Sequence, residues 1–196
     1  MREIIRMITV LTVLCAFSGG LLAALRDGTQ EKIENQQLEF VKGPAIRDIL
    51  KGSSNDPIKD RFKIKDGETE RHVFVGKSGG KPEMVTFETT GKGFKGDIAM
   101  MVGVNVTDDK IVGIGITTHS ETPGIGAKAQ TDPRFSGQFK GMPLTGEFKI
   151  KKEGGQVDAI SGATITSRGV ADAVSDAVKI YSRIKPAISD KLNELK

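Results

Sequence analysis

Tryptophan is absent from this sequence of 196 residues, tyrosine and cysteine occur once each, and histidine occurs twice. The shortage of aromatic residues removes the usual platforms on which nucleic-acid bases stack. Charge excludes the same class by another route. The 29 Lys and Arg are interspersed with 25 Asp and Glu, the formal net charge is only +4, and no tract of one sign occurs. A single cysteine, Cys15, permits no intramolecular disulfide, and no zinc site or iron–sulfur cluster from this chain alone. It sits in an apolar run behind Leu14, whereas a lipid-modified cysteine prefers a small residue before it. No internal repeat and no strand–helix alternation of the doubly wound kind is present. Ser161, His119 and Asp158 supply the residue types of a hydrolytic triad, but the G-x-S-x-G elbow is missing. Gly124-Ile125-Gly126 lacks the third glycine and the following helix of a dinucleotide fingerprint.

What is present begins with one long hydrophobic stretch. From Met7 to Leu25 no charge interrupts the chain. As a helix rising ~1.5 Å per residue, this run spans a bilayer core of about 30 Å. Arg2 and Arg6 precede it, and Arg26 and Asp27 follow. That bias favours a cytoplasmic N-terminus and a body on the opposite side of the membrane. A cleaved signal peptide is the rival reading, although the run exceeds the usual hydrophobic region and lacks a clear small-x-small site. The expected organisation is a cytoplasmic N-terminus and transmembrane anchor over 1–27, a juxtamembrane helix and linker over 28–60, and a folded domain over 61–196.

Within the body, Arg71–Lys77 and Met84–Glu88 read as short strands around a Ser-Gly-Gly-Lys-Pro turn. Ile98, Met100, Val102, Val104 and Val106 alternate with small or polar residues, as do Val112, Ile114 and Ile116 beyond the turn at 107–110. This predicts a β-hairpin with one buried face. Residues 120–141 are rich in Gly, Pro, Thr and Asp without a period, and a loop of that length is usually functional. Phe148–Lys152 and Val157–Ile160 read as a further strand pair. Val170, Val174, Ala177, Tyr181 and Ile184 form one helical stripe, with Thr166 or Ser167 as N-cap and Pro186 ending or kinking the helix. The class is α+β: a mainly antiparallel sheet packed by helices, preceded by one transmembrane helix.

Two segments carry the chemistry: His119-Ser120-Glu121-Thr122-Pro123-Gly124-Ile125-Gly126 with Lys128 after it, and Asp158-Ala159-Ile160-Ser161-Gly162-Ala163-Thr164. The second is a hydroxyl-rich turn running into a helix. Backbone N–H groups and the positive helix end suit a phosphate there. An ordinary capped helix start has the same composition, and the residues alone leave both readings open.

Asp-x-x-Ser-Gly-Ala-Thr at 158–164 resembles the flavinylation motif of the FMN-binding family found in RnfG and NqrC, subunits of membrane redox pumps. His-x-Glu-Thr-Pro-Gly-x-Gly at 119–126 resembles that family's second hallmark, in the same order along the chain. Gly-Phe-Lys-Gly-Asp-Ile at 93–98 is similar to the strand leading into it. The resemblance runs from about Gly91 to Ile184. Chain length favours the RnfG branch. Ile125 stands where Leu is frequent, and Lys95 where a small residue is frequent.

The resemblance implies FMN joined covalently through its phosphate to the Thr164 hydroxyl by a flavin transferase, with Asp158, Ser161, Gly162 and Ala163 as the recognition frame. It implies that Glu121, Thr122, Gly124 and Gly126 line the flavin, with His119 at the start of the loop. Thr166 is the nearest competing acceptor. The implied role is electron transfer in an ion-translocating ferredoxin:NAD⁺ oxidoreductase (Rnf) of the inner membrane, beside other membrane subunits and without a substrate site of its own. Alternatives are the covalent flavodomain of an NqrC-type pump or of an extracellular respiratory reductase, and an unflavinylated structural membrane module. Neither nucleic acid nor metal is implied.

Overall fold

Five stretches with apolar residues at every second position pair side by side, and a long helix lies across them. The computed structural model describes residues 1–146 and 148–194. The chain divides into two compact units, Met1–Glu39 and Phe40–Lys196.

The first unit is mostly helix α1, Arg2–Gln36, and none of its side chains is buried. Leu11, Leu14, Phe17 and Leu22 are among the apolar side chains it exposes. It is long and apolar enough to cross a membrane.

Helical residues of π type, Gln37–Lys42, carry the chain from the first unit into the second, where α2, Gly43–Ile49, follows. The strands β1 (Arg61–Asp66), β2 (Thr69–Ser78), β3 (Lys81–Lys92), β4 (Asp97–Asn105) and β5 (Lys110–Thr118) come next. They form one antiparallel sheet in chain order β1-β2-β3-β4-β5. The 97–119 hairpin is present as β4 and β5. The strands expected at 71–77 and 84–88 are longer than their apolar cores, because the ladder continues through polar positions at both ends. Strand β1 went unrecognised, although Phe62 and Ile64 alternate there with Arg61, Lys63 and Lys65.

Register fixes the two faces of the sheet. Val73 pairs with Phe87, Phe87 with Val102 and Val102 with Ile114, placing all four on one face. That face packs on α5, Thr164–Glu194. Val170, Val174, Ala177, Tyr181 and Ile184 are all buried, as their spacing predicts. The opposite line runs Phe74, Thr86, Gly103, Gly113. Helix α2 covers it so closely that a Cβ on Gly103 would lie 2.2 Å from Ile49 Cγ2.

Helix α5 crosses β3 by direct backbone contact. A Cβ at Gly91 would fall 2.0 Å from the Gly169 carbonyl oxygen, and one at Gly169 would fall 2.1 Å from the Lys92 carbonyl oxygen. Only glycine at both positions allows this approach, and it sets the depth at which the helix start sits.

Three expectations are corrected. The 120–141 loop contains two short helices, α3 (Lys128–Thr131) and α4 (Pro133–Gly137), the second capped by the Asp132 carboxylate. The strand pair at 148–152 and 157–160 reduces to one parallel bridge, Ile150 to Val157, around a 3-10 turn. Gly154 takes a left-handed conformation there (φ 82°), which ends regular pairing at once. Finally, α5 begins at Thr164, so Thr166 and Ser167 lie inside its first turn, and Pro186 lies within the helix instead of ending it.

Candidate functional site

The two motif segments meet at the start of α5. Gly162 is left-handed (φ 77°), and the Ala163 N–H closes the turn onto the Ile160 carbonyl at 2.9 Å. The Ser167 hydroxyl completes this turn: it accepts the Ile160 N–H and donates to the Ala163 carbonyl, both at 2.9 Å. A helix start leaves its first amides without intrahelical acceptors. Those of Thr164, Ile165 and Thr166 accordingly lack intrahelical acceptors.

Glu121 is the link between the segments. It is buried, with 6% of its surface exposed. Its Oε1 accepts the Lys95 N–H at 2.9 Å, and its Oε2 accepts a hydrogen bond from the Thr166 hydroxyl. The Phe94 amide also lies where its dipole favours the charged carboxylate. Burial raises the carboxyl pKa, but the Lys95 amide, the Thr166 hydroxyl and the Phe94 amide together outweigh it. The net result is a carboxyl held below its ordinary value. Two glycines leave room for this arrangement. A Cβ at Gly126 would lie 2.6 Å from Glu121 Oε2 and 2.9 Å from Thr166 Oγ1, and one at Gly93 would lie 2.6 Å from Glu121 Oε1.

His119 braces the loop. Its Nδ1 accepts the Glu121 N–H at 3.2 Å, so the ring proton sits on Nε2, facing Gln130 Oε1 at 3.1 Å. Gln130 in turn donates to the Ile116 carbonyl at 3.0 Å. Thr122 closes the turn through its carbonyl, which accepts the Ile125 and Ala127 N–H groups. Gly124 supplies the left-handed step (φ 73°). Ile125 then reaches the second segment: its Cγ2 is 3.6 Å from where a Gly162 Cβ would sit.

The structure thus joins Glu121 and Gly126 to Thr166, and Ile125 to Gly162. Asp158 stands apart. Its carboxylate is exposed and pairs with Lys151 at 2.7 Å, while its backbone is held by the Gln138 amide. Ser161 is exposed, and Ala163 is buried beneath the turn. The hydrolytic triad of Ser161, His119 and Asp158 is not assembled, since both ring nitrogens of His119 and the carboxylate of Asp158 have other partners.

The hydroxyls sort clearly. Thr166 and Ser167 are 1% and 0% exposed and both are hydrogen-bonded. Thr164 is half-buried, and its hydroxyl makes no hydrogen bond among the described residues. The two motif segments and the β3–β4 turn also expose apolar side chains: Phe94 (65%), Ile125 (47%) and Ile165 (45%). Sequence reasoning missed the Glu121–Thr166 bond and the Phe94 and Lys95 amides. Gly93 and Gly126 were the available signal, because neither takes a positive φ that would otherwise explain it.

Comparison with known proteins identifies the family. The FMN-binding domain profile matches residues 93–179. The chain is 35% identical to the G subunit of the ion-translocating oxidoreductase complex of Methanosarcina acetivorans, over 92% of this chain and 96% of that protein. The protein of the same name from Pseudoalteromonas atlantica is 30% identical over 94% and 91%. Among solved structures, the C subunit of the Na⁺-translocating NADH-quinone reductase from Parabacteroides distasonis superposes with a TM-score of 0.51 at 30% identity, covering 59% of this chain and 63% of that one. NqrC of Shewanella oneidensis gives 0.50 at 28%, covering 74% and 71%. The chain therefore belongs to the RnfG/NqrC family of FMN-binding proteins, on the side of the oxidoreductase-complex G subunits.

Proposed function

We propose that this chain is the G subunit of an Rnf-type ferredoxin:NAD⁺ oxidoreductase and carries FMN as a phosphoester on Thr164. The observation that carries the reading is the state of the hydroxyls at the start of α5. Thr164 alone combines a free hydroxyl, partial shelter and a place in the first helical turn, beside amides without intrahelical acceptors. A phosphodiester keeps one negative charge, which those amides and the helix end favour. The residues present therefore fit the group.

Bound there, FMN would supply one-electron transfer. The protein's part is to hold and shield it. The left-handed steps at Gly124 and Gly162 bring the loops together, and Phe94, Ile125 and Ile165 offer apolar surface to a flavin ring. Thr122, Gly124, Gly126 and His119 shape that loop. Asp158, Ser161, Gly162 and Ala163 form the frame that a flavin transferase would read. Asp158 and Ser161 are exposed, which suits a role toward an outside enzyme. Attachment needs an activated donor. In that step the Thr164 oxygen would bond to the flavin phosphorus as the anhydride bond of a flavin dinucleotide broke, the nucleoside monophosphate would leave, and the hydroxyl proton would pass to the transferase.

Helix α1 is the membrane anchor in this reading, with a cytoplasmic N-terminus and the flavin domain over 61–196 on the opposite side. Other membrane subunits of the complex are its partners. Covalent attachment has a reason on that side, because a dissociated cofactor would be lost by dilution. The likeness to the NqrC structures keeps an NqrC-type pump as the second reading.

The test is co-expression of the full chain with a flavin transferase, followed by a denaturing gel under ultraviolet light. A fluorescent band that disappears in Thr164→Ala is expected. A dark wild-type band would leave only a structural module, and fluorescence surviving Thr164→Ala would move the acceptor elsewhere.

A further inference from the structure

We infer that Glu121 is a positioning residue for the acceptor hydroxyl: its buried carboxylate holds the first turn of α5 in place through Thr166. The inference rests on the reading of Thr164 as the attachment point, and it concerns what places that hydroxyl. Glu121 has no cation among its described hydrogen-bond partners. Instead it gathers neutral donors from two directions, the Lys95 amide at the β3–β4 turn and the Thr166 hydroxyl on α5. Its backbone N–H is fixed by His119, and the glycines at 93 and 126 leave no slack around its oxygens.

Thr166 lies two residues beyond Thr164 in the same turn. With its hydroxyl bound to Glu121, that side of the helix is turned inward. Ser167 is held the same way through Ile160 and Ala163. The remaining hydroxyl of the turn, on Thr164, is left outside. The contact also occupies the nearest competing acceptor. Glu121 thus acts on Thr164 at second hand, through a hydrogen bond whose loss would let the turn rotate or fray.

Four variants of the full chain test this: Glu121→Ala, Glu121→Gln, Thr166→Val and Thr166→Ser. Each is co-expressed with the flavin transferase, and loading is followed by in-gel fluorescence per folded chain, with the site mapped by peptide mass. Misplacing a reacting group costs on the order of tenfold to a hundredfold in rate. Loading should fall by that factor in Glu121→Ala and in Thr166→Val, and the double variant should load no more slowly than either single one. Glu121→Gln and Thr166→Ser keep a hydrogen bond across the contact and should recover most of the rate.

A second readout uses the unloaded protein. Amide hydrogen exchange at 164–167 should quicken in Glu121→Ala and Thr166→Val while the sheet amides stay protected. Should Glu121→Ala fail to fold, Thr166→Val carries both measurements, since it replaces one hydroxyl by a methyl group. Folded Thr166→Val or Glu121→Ala that loads at the wild-type rate with unchanged exchange overturns the inference. Fluorescence persisting in Thr164→Ala would instead overturn the attachment reading, and the exchange experiment would then decide the positioning role alone.

Discussion

The two ends of α5 are both pinned by carboxylates, and the two pins differ in kind. Near the site, Glu121 is buried and served by amides and a hydroxyl. Toward the other end, Asp66 accepts Arg183 Nε and Nη2 at 2.9 Å and Arg71 at 2.8 Å, while Asp109 takes Lys185 at 2.6 Å and the Tyr181 hydroxyl at 3.4 Å. Ion pairs of that kind tolerate small shifts, because Coulomb attraction varies slowly with distance and the Arg183 and Lys185 cations stay open to solvent, even where the Asp66 side chain itself is only 8% exposed. Hydrogen bonds to a buried carboxylate are short-ranged and directional, and no water replaces a lost partner. The end of the helix that must place an atom is held by the second device. The end that needs only to stay docked is held by the first.

The largest break in this comparison comes from the crossing between the pins. Gly169→Ala puts a methyl 2.1 Å from the Lys92 carbonyl oxygen. Helix and strand must separate, and a loss of about 3 kcal/mol is expected from the urea midpoint. Gly91→Ala should match it, and the pair should cost less than the sum, since both relieve the same contact.

Glu121→Ala should follow at about 2 kcal/mol, because it strands the buried Thr166 hydroxyl and removes the acceptor of the Lys95 amide. Its effect should be the same at low salt and in molar sodium chloride. Asp66→Asn should cost about 1 kcal/mol, discounted because Arg183 is half exposed to solvent, and that gap should shrink in molar salt. If the salt responses were reversed, the distinction between the pins would fail.

Acid sharpens it further. Arg183 and Arg71 hold the Asp66 carboxyl down to about 2, from an ordinary 3.8. A depressed carboxyl contributes stability that is complete above its unfolded pKa and disappears as pH falls through the folded one. Unfolding measured from pH 5 to pH 2 should therefore show the Asp66 contribution fading between about 4 and about 2, with a flatter curve for Asp66→Asn. Glu121, also depressed, adds a loss of the same sign. The smallest effect belongs to Asp158→Asn. Its ion pair with Lys151 is open to water on both sides, so stability should stay within about 0.5 kcal/mol of wild type. Its loading should still fall if transferase recognition is its role.

What the sequence disclosed follows how local each signal is. The β4–β5 hairpin and the α5 stripe declare themselves through periods of two and 3.6, which depend on neighbours in the chain. The motif segments were visible as compositions, and the family resemblance ordered them. The meeting of Gly91 with Gly169 was not visible, because a glycine records that space is short without naming what fills it. Thr166 illustrates the same limit. A threonine near a helix start reads as a cap by local rules, and only the arrival of Glu121 from another loop redirects its hydroxyl. The failed strand pair at 148–160 shows the converse: residues suited to strands found no neighbouring strand to pair with, and a left-handed glycine ended the ladder.

Strand β1 also governs what the outside of the sheet can do. A five-stranded sheet in chain order has two free rims, and each offers unpaired backbone to any stray strand. On the β5 side the rim is stitched shut by the chain itself, through Ile111 with Gly141 and Met142 and through Gln130 on Ile116. On the β1 side no such cover is needed, because exposed Arg61, Lys63 and Lys65 line the border with positive charge. Two copies brought rim to rim would set these cations against each other. The same residues that blurred β1 as a strand work against edge-to-edge pairing of this domain.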